Sequence, residues 1–210
     1  MSRCVIISAC PVSPELAEAL RPDDFIIACD AGYRNCAPLG RRPNIIVGDF
    51  DTAPCPEQQD DDIIVLPHVK DDTDTQYAAH WLLEHGYDEI TLLGALGGAR
   101  LEHTLANLAT GLYLAKNGVN VLLANEHSEL RYIVPGRGLI LQRRDWKYLS
   151  LFPMEGRLTG VCIRGAFYPL ENAVLTADYP LGVSNEFIAD TAQLQCSGGC
   201  GLVVLTRDDA

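Results

Sequence analysis

Several things are scarce in this 210-residue chain, and each scarcity argues against a class of function. Bases are outnumbered: 16 Lys plus Arg stand against 28 Asp plus Glu, a formal net charge of −12. A general nucleic-acid surface needs positive charge to displace counterions, so no nucleic-acid partner is expected. Long apolar runs are missing, and none approaches the roughly 18 residues that a membrane span requires. The opening MSRCVIISACPVSPE has a short apolar stretch ended by Pro11 and Pro14, which reads as a first β-strand rather than an export signal. A disulfide framework is also lacking. The cysteines (4, 10, 29, 36, 55, 162, 196 and 200) are scattered, and Cys196-Ser-Gly-Gly-Cys200 has the wrong spacing for a redox or zinc pair. Reduced thiols in a cytoplasmic protein are therefore expected. There are no internal repeats. At 48 % hydrophobic and 21 % charged, the chain has a globular composition. Its length suffices to bury roughly 70 % of its unfolded surface without covalent staples.

What is present is an alternation. Short apolar runs rich in Val and Ile occupy residues 4–8, 25–29, 45–47, 63–66, 90–93 and 119–124. Unbroken runs of this kind suit parallel strands covered on both faces. Between them, helical periodicity predicts helices over 75–85, ending at Gly86, and over 103–116, ending at Asn117-Gly118. After residue 125 the pattern changes to short alternating runs at 139–142, 148–152, 158–164, 173–176, 192–195 and 202–206, punctuated by Gly and Pro. The expected architecture is an α/β, Rossmann-like parallel-sheet domain over 1–125, followed by a small all-β sandwich or barrel over 126–210.

The acids are clustered. Nine lie between Asp49 and Asp74, with Lys70 the only base among them. Asp60, Asp61 and Asp62 fall in the polar stretch PEQQDDD and read as a solvated loop. Gly48-Asp49-Phe50-Asp51-Thr52 directly follows an apolar run, and a carboxylate pair just past a parallel strand sits where α/β sheets hold ligands. Lys70-Asp71-Asp72-Thr73-Asp74 likewise precedes a helix. Asp72 or Thr73 suits its cap, but a cap accounts for one acid and not for the cluster. Crowded carboxylates repel one another unless a cation neutralises them, and Mg²⁺ is commonly held by one or two carboxylates together with phosphate oxygens. Asp49, Asp51, Asp71 and Asp74 are thus candidate Mg²⁺ ligands. In Gly94-Ala-Leu-Gly97-Gly98, the glycine pair lets backbone approach a phosphate near a helix N-terminus, and Arg100 adds a cationic fork. Neither a Walker loop nor GxGxxG is present, nor is a GxSxG elbow. The trio His80, Glu84 and His85 misses the spacing of zinc motifs.

Taken in order, Cys-Asp30-Ala-Gly32, then Gly48-Asp49-Phe-Asp51-Thr52, Lys70-Asp71-Asp-Thr-Asp74, Gly94-Ala-Leu-Gly97-Gly98 and finally Gly182-Val-Ser184-Asn185-Glu resemble the thiamine pyrophosphokinase family over nearly the whole chain. The resemblance implies transfer of diphosphate from ATP to thiamine, giving thiamine diphosphate and AMP. It also implies an N-terminal domain binding ATP and Mg²⁺, a C-terminal β domain helping to hold thiamine, and a homodimer with active sites between subunits. By matching position, Asp49 and Asp51 with Asp71 or Asp74 would hold Mg²⁺. Asp30, Gly32, Thr52, Lys70, Gly97 and Gly98 would line the nucleotide site, Arg100 would contact phosphate, and Ser184 and Asn185 would lie near the thiamine ring. Asp71 and Asp74 are the candidate proton acceptors. Thr52 stands where the family commonly has Ser. The usual Gly-Gly-Arg-x-Asp-His is one residue longer here, Gly97-Gly98-Ala99-Arg100-Leu101-Glu102-His103, with Glu for Asp. Two other readings share some of these features: a different Mg-dependent phospho- or nucleotidyltransferase, and a non-catalytic thiamine- or nucleotide-binding regulator.

Overall fold

Strands that are apolar on both faces must be buried on both faces, and the N-terminal half of the chain meets that demand with a parallel sheet flanked by helices. A computed structural model describes residues 2–50, 54–56, 62–69 and 71–208, and the chain divides into two units, Met1–Glu126 and His127–Ala210.

The first unit runs β1 (Arg3–Ile7), β2 (Phe25–Cys29), α1 (Tyr33–Cys36), β3 (Ile45–Gly48), β4 (Asp62–Val65), α2 (Asp74–Glu84), β5 (Glu89–Leu93), α3 (Leu101–Lys116) and β6 (Asn120–Ala124). Among the described residues its six strands are all parallel, in the order β4-β3-β2-β1-β5-β6. Every residue of β3, and all but the first of β1, β2 and β5, is buried. Edge strand β4 is only half covered. The order reverses between β1 and β5, so the loops leaving these neighbours diverge to opposite sides and open a crevice at the strands' carboxyl ends.

Helix α2 begins at Asp74 because Thr73 Oγ1 accepts the Gln76 N–H at 3.1 Å, closing the first turn. Helix α3 starts at Leu101, two residues ahead of the expected 103, with no side-chain cap on its first turn. Asp62 departs from expectation: it is exposed but opens β4, where the Ile-Ile-Val that follows pairs with β3. Asp60 and Asp61 lie outside the described residues.

Among the described residues the second unit's regular elements are all strands: β7 (Ser128–Ile133), β8 (Leu139–Gln142), β9 (Tyr148–Pro153), β10 (Arg157–Arg164), β11 (Leu170–Thr176), β12 (Asn185–Glu186), β13 (Thr191–Gln195) and β14 (Gly201–Thr206). Antiparallel pairing gives β12-β9-β14-β7 and β11-β10-β13-β8. Ile133, Leu149, Leu151 and Val203 from the first set share one buried cluster with Leu158, Val161, Ile163 and Leu194 from the second. That is the core of a sandwich. The fold class is therefore α/β followed by a small β domain. Two strands were not foreseen. β7 reads Ser-Glu-Leu-Arg-Tyr-Ile, whose polar residues mask its pairing with β14, and β12 is only two residues long.

Candidate active site

At the carboxyl ends of the first unit's strands lies a cavity of about 380 Å³. It is lined by the loop after β1 (Ser8, Ala9, Cys10, Pro11), by Cys29 and Asp30 at the end of β2, and by Asp49 after β3. Thr73, Asp74 and Thr75 enter from the start of α2. Gly94, Gly98, Ala99 and Arg100 come from the loop after β5, with His103 and Asn107 from α3.

Asp30 is buried and carries a left-handed backbone, φ +47°, in a three-residue 3₁₀ turn that ends at Gly32. A non-glycine residue held this way costs on the order of 1 kcal/mol, which the surrounding packing must offset. The turn is forced tight against β1. A Cβ on Gly32 would overlap the Ile7 carbonyl oxygen, so glycine is required there. Asp30 Oδ1 is buried with no hydrogen-bond partner among the described residues. Burying such an oxygen unsatisfied is costly, so this carboxylate suits an outside donor or cation.

Asp49 follows a strand whose last residue, Gly48, passes close to Asp30; a Cβ there would stand 3.0 Å from the Asp30 Cα. The Asp49 side chain is 12 % exposed and lies 3.8 Å from the ring of His68. The next residue, Phe50, also has a positive φ of 55°. Asp74 sits on the first turn of α2, which Thr75 ties to the loop after β1 through a buried 3.1 Å contact between its hydroxyl and that of Ser8. Asp71 is exposed and does not line the cavity, while Asp72 faces His80 at 3.5 Å. Asp51, Thr52 and Lys70 lie outside the described residues.

On the far side, Gly98 lines the cavity and neighbouring Gly97 is exposed; both have positive φ, 80° and 85°. Gly97 N–H donates to Thr104 Oγ1 at 3.0 Å, which closes this loop onto α3. Arg100 takes the position just before the helix and donates from Nε to Glu102 Oε1 at 2.8 Å, with both side chains about two-thirds exposed. That hydrogen bond holds the Glu102 carboxyl below the usual carboxylate range. The extra residue lies ahead of Arg100, so the two-residue spacing that lets Arg100 meet the following acid is kept.

In the second unit Ser184 is exposed with φ +57°, and its N–H donates to Ser150 Oγ at 3.0 Å. Asn185 is buried, and its amide is spent on backbone: Oδ1 accepts from the N–H of Tyr168 and of Glu186, and Nδ2 donates to the Tyr168 carbonyl.

Charge is divided as unevenly as the chemistry. Residues 1–126 carry eight bases against nineteen acids, −11, whereas residues 127–210 carry eight against nine, −1. A cleft in the acidic unit with one lining guanidinium needs added cations to accept a polyphosphate. Among the described residues no three His, Cys, Asp or Glu side chains stand together as a preformed ion cage. The carboxylates of Asp49 and Asp74, with the orphaned oxygen of Asp30, are hard donors lining one cleft. That set fits Mg²⁺ sharing its shell with substrate phosphates.

Sequence reasoning missed the loop after β1, together with Thr75 and Asn107; it placed Thr73 only as a helix cap and His103 only within the segment that follows the glycine pair. The position of that loop at the end of the first strand was the available signal, since β1 borders the reversal of strand order.

Comparison with known proteins covers both units. Residues 16–123 match the family model for the thiamin pyrophosphokinase catalytic domain, and residues 139–200 match that for the thiamin pyrophosphokinase vitamin B1 binding domain. A thiamine pyrophosphokinase of Bacillus subtilis is 26 % identical over 200 residues, covering 93 % of each chain. The crystal structure of a thiamin pyrophosphokinase from Geobacillus thermodenitrificans superposes with a TM-score of 0.87 at 25 % identity, covering 99 % of both chains. The Bacillus subtilis crystal structure gives 0.88 at 24 % identity over 99 % of this chain and 100 % of that one, a likeness of fold.

Proposed function

This chain belongs to the thiamine pyrophosphokinase family, and from that premise we propose how its residues carry the transfer of diphosphate from ATP to thiamine. The protein is an ATP-dependent thiamine diphosphokinase. The observation that carries the assignment of residues is the convergence of Asp30, Asp49, Asp74, Gly98 and Arg100 on one cleft at the reversal of strand order.

In the reaction the hydroxyethyl oxygen of thiamine attacks the β-phosphorus of ATP and AMP departs. Nucleotide and leaving group are both anionic, so positioning and neutralisation of charge do most of the work. We assign Asp49 and Asp74, with Asp51 and the orphaned oxygen of Asp30 beside them, as the residues that would hold Mg²⁺; the ion would supply charge neutralisation at the phosphate oxygens. Asp30 at the end of β2, with Gly32 behind it, shapes the nucleotide side of the cleft, and Thr52 and Lys70 belong to the same two acidic segments. Gly97 and Gly98 admit phosphate close to backbone, and Arg100 pairs with it. Of the two candidate proton acceptors we assign Asp74, through a carboxylate oxygen not taken by Mg²⁺, because it lines the cleft and Asp71 is exposed outside it.

We assign residues 1–125 to ATP and Mg²⁺, and residues 126–210 to thiamine, with Ser184 and Asn185 organising the thiamine side. The assembly we propose is a homodimer with active sites between subunits. It is supported by the large apolar side chains the second unit leaves more than half exposed, among them Phe167, Tyr168, Tyr179, Leu181 and Ile188. Among the described residues no helix is long and apolar enough to cross a membrane. None of the eight cysteines is in a disulfide, as suits the reducing cytoplasm.

Incubation with ATP, Mg²⁺ and thiamine, with products separated by chromatography, tests the reading. Thiamine diphosphate and AMP are expected. ADP with thiamine monophosphate would indicate another phosphotransferase, and binding without turnover would indicate a regulator.

A further inference from the structure

Asn35, on the short helix α1, is buried and is absent from the lining of the active-site cavity. Its Nδ2 donates to the Ser8 carbonyl at 2.8 Å and to the Cys10 carbonyl at 2.8 Å. Only the nitrogen of an amide can face two carbonyl oxygens, so the orientation of the side chain is fixed by chemistry. Both carbonyls belong to the loop after β1 that forms one wall of the cleft.

The same two oxygens are approached from a second direction. Gly94, φ +62°, passes so close that a Cβ would overlap the Ser8 oxygen and stand 2.7 Å from the Cys10 oxygen. The Ser8 N–H donates to the Leu93 carbonyl at 2.8 Å, and the Cys10 N–H to that of Gly94 at 3.0 Å. The loop is thus zipped to the end of β5, and its carbonyl dipoles are aimed at Asn35. A carbonyl oxygen directed into the cleft would repel a triphosphate there.

We propose that Asn35 is a positioning residue for nucleotide binding: by capturing the Ser8 and Cys10 carbonyls it sets the β1 loop in the form that accepts the phosphates of ATP. It touches neither substrate. The proposal rests on the reading that this cleft takes ATP. In the same site Asn107 donates to the Ala95 carbonyl at 2.8 Å, so the loops after β1 and β5 each have a carbonyl held by a buried amide.

The test uses the full chain carrying Asn35→Ala, with Asn35→Ser as the second variant, each verified as folded by circular dichroism. ATP dissociation constants come from equilibrium dialysis with Mg²⁺, and KM values are measured for both substrates. Losing two hydrogen bonds of ordinary net strength should weaken ATP binding about tenfold, with the thiamine KM changed less than twofold. An unchanged ATP dissociation constant in either folded variant overturns the proposal. So does an equal rise in both KM values, or failure of both variants to fold, since each outcome makes Asn35 merely structural. Failure of the wild-type chain to form thiamine diphosphate would instead count against the activity, and dialysis would still report on Asn35.

Discussion

Asn185 holds Tyr168 as a neighbouring strand would, accepting from its N–H at 2.9 Å and donating to its carbonyl at 2.8 Å. One side chain thus replaces a rung of sheet ladder, and Tyr168 is left projecting, 63 % exposed, with Phe167 edge-on at a ring separation of 5.0 Å. Asn185→Ala would orphan the N–H and carbonyl of Tyr168 in one step. We expect a loss of about 1–3 kcal/mol in urea unfolding and a raised thiamine KM. Ser184→Gly is the counterpart. It relieves a left-handed backbone at φ +57° and should leave stability unchanged or slightly higher.

The acidic residues divide by role. Asp49→Asn should lower kcat/KM by roughly 100-fold and raise the Mg²⁺ concentration needed for half-maximal rate, by analogy with other losses at metal sites. Asp62→Asn, on an exposed edge-strand position, should stay within about twofold of wild type. A steady-state Mg²⁺ titration of both variants measures the contrast, and equal effects would refute this division.

Gly32→Ala tests the tight turn that carries Asp30. Its Cβ has no room beside the Ile7 carbonyl, so β1 and the turn must separate. A loss of roughly 1–3 kcal/mol is expected, seen as a lowered thermal midpoint together with weakened ATP binding. Gly136→Ala is the control with open space around it, and its strain comes only from φ +80°.

In the assignment we propose, Glu102 and phosphate compete for the Arg100 guanidinium. Glu102→Gln should free the guanidinium and lower the KM for ATP, whereas Arg100→Ala should raise it about tenfold and abolish any effect of the first change. The pair also carries a pH signature. The Glu102 carboxyl is depressed by its hydrogen bond from Arg100, so the pair is present above the ordinary Glu range and is lost as pH falls through the depressed value. Any stability difference between wild type and Glu102→Gln should therefore be full above the ordinary Glu range, shrink as pH falls through that range, and vanish below the depressed value, in denaturant melts taken across acid pH.

Local pattern by itself determined much of this protein. Apolar runs such as Phe25–Cys29 and Leu139–Gln142 coincide with strands, because a strand's burial is written residue by residue along the chain. The acidic segments after β3 and before α2 were legible for the same reason, as were the glycines after β5. β7 escaped because its partner β14 lies some seventy residues further along, and polar residues in its run hide that pairing. Only the tertiary structure decided which acids meet. The order β4-β3-β2-β1-β5-β6 brings Asp30, Asp49 and Asp74 to one cavity with the loop after β5, while the Thr73 cap starts α2 at Asp74 and leaves Asp71 outside. Asn35 and Asn185 belong to the same class of fact. Each spends its amide on backbone distant in sequence, and no local pattern distinguishes such a clamp from an ordinary polar residue, because strand register and chain crossing set the distances involved.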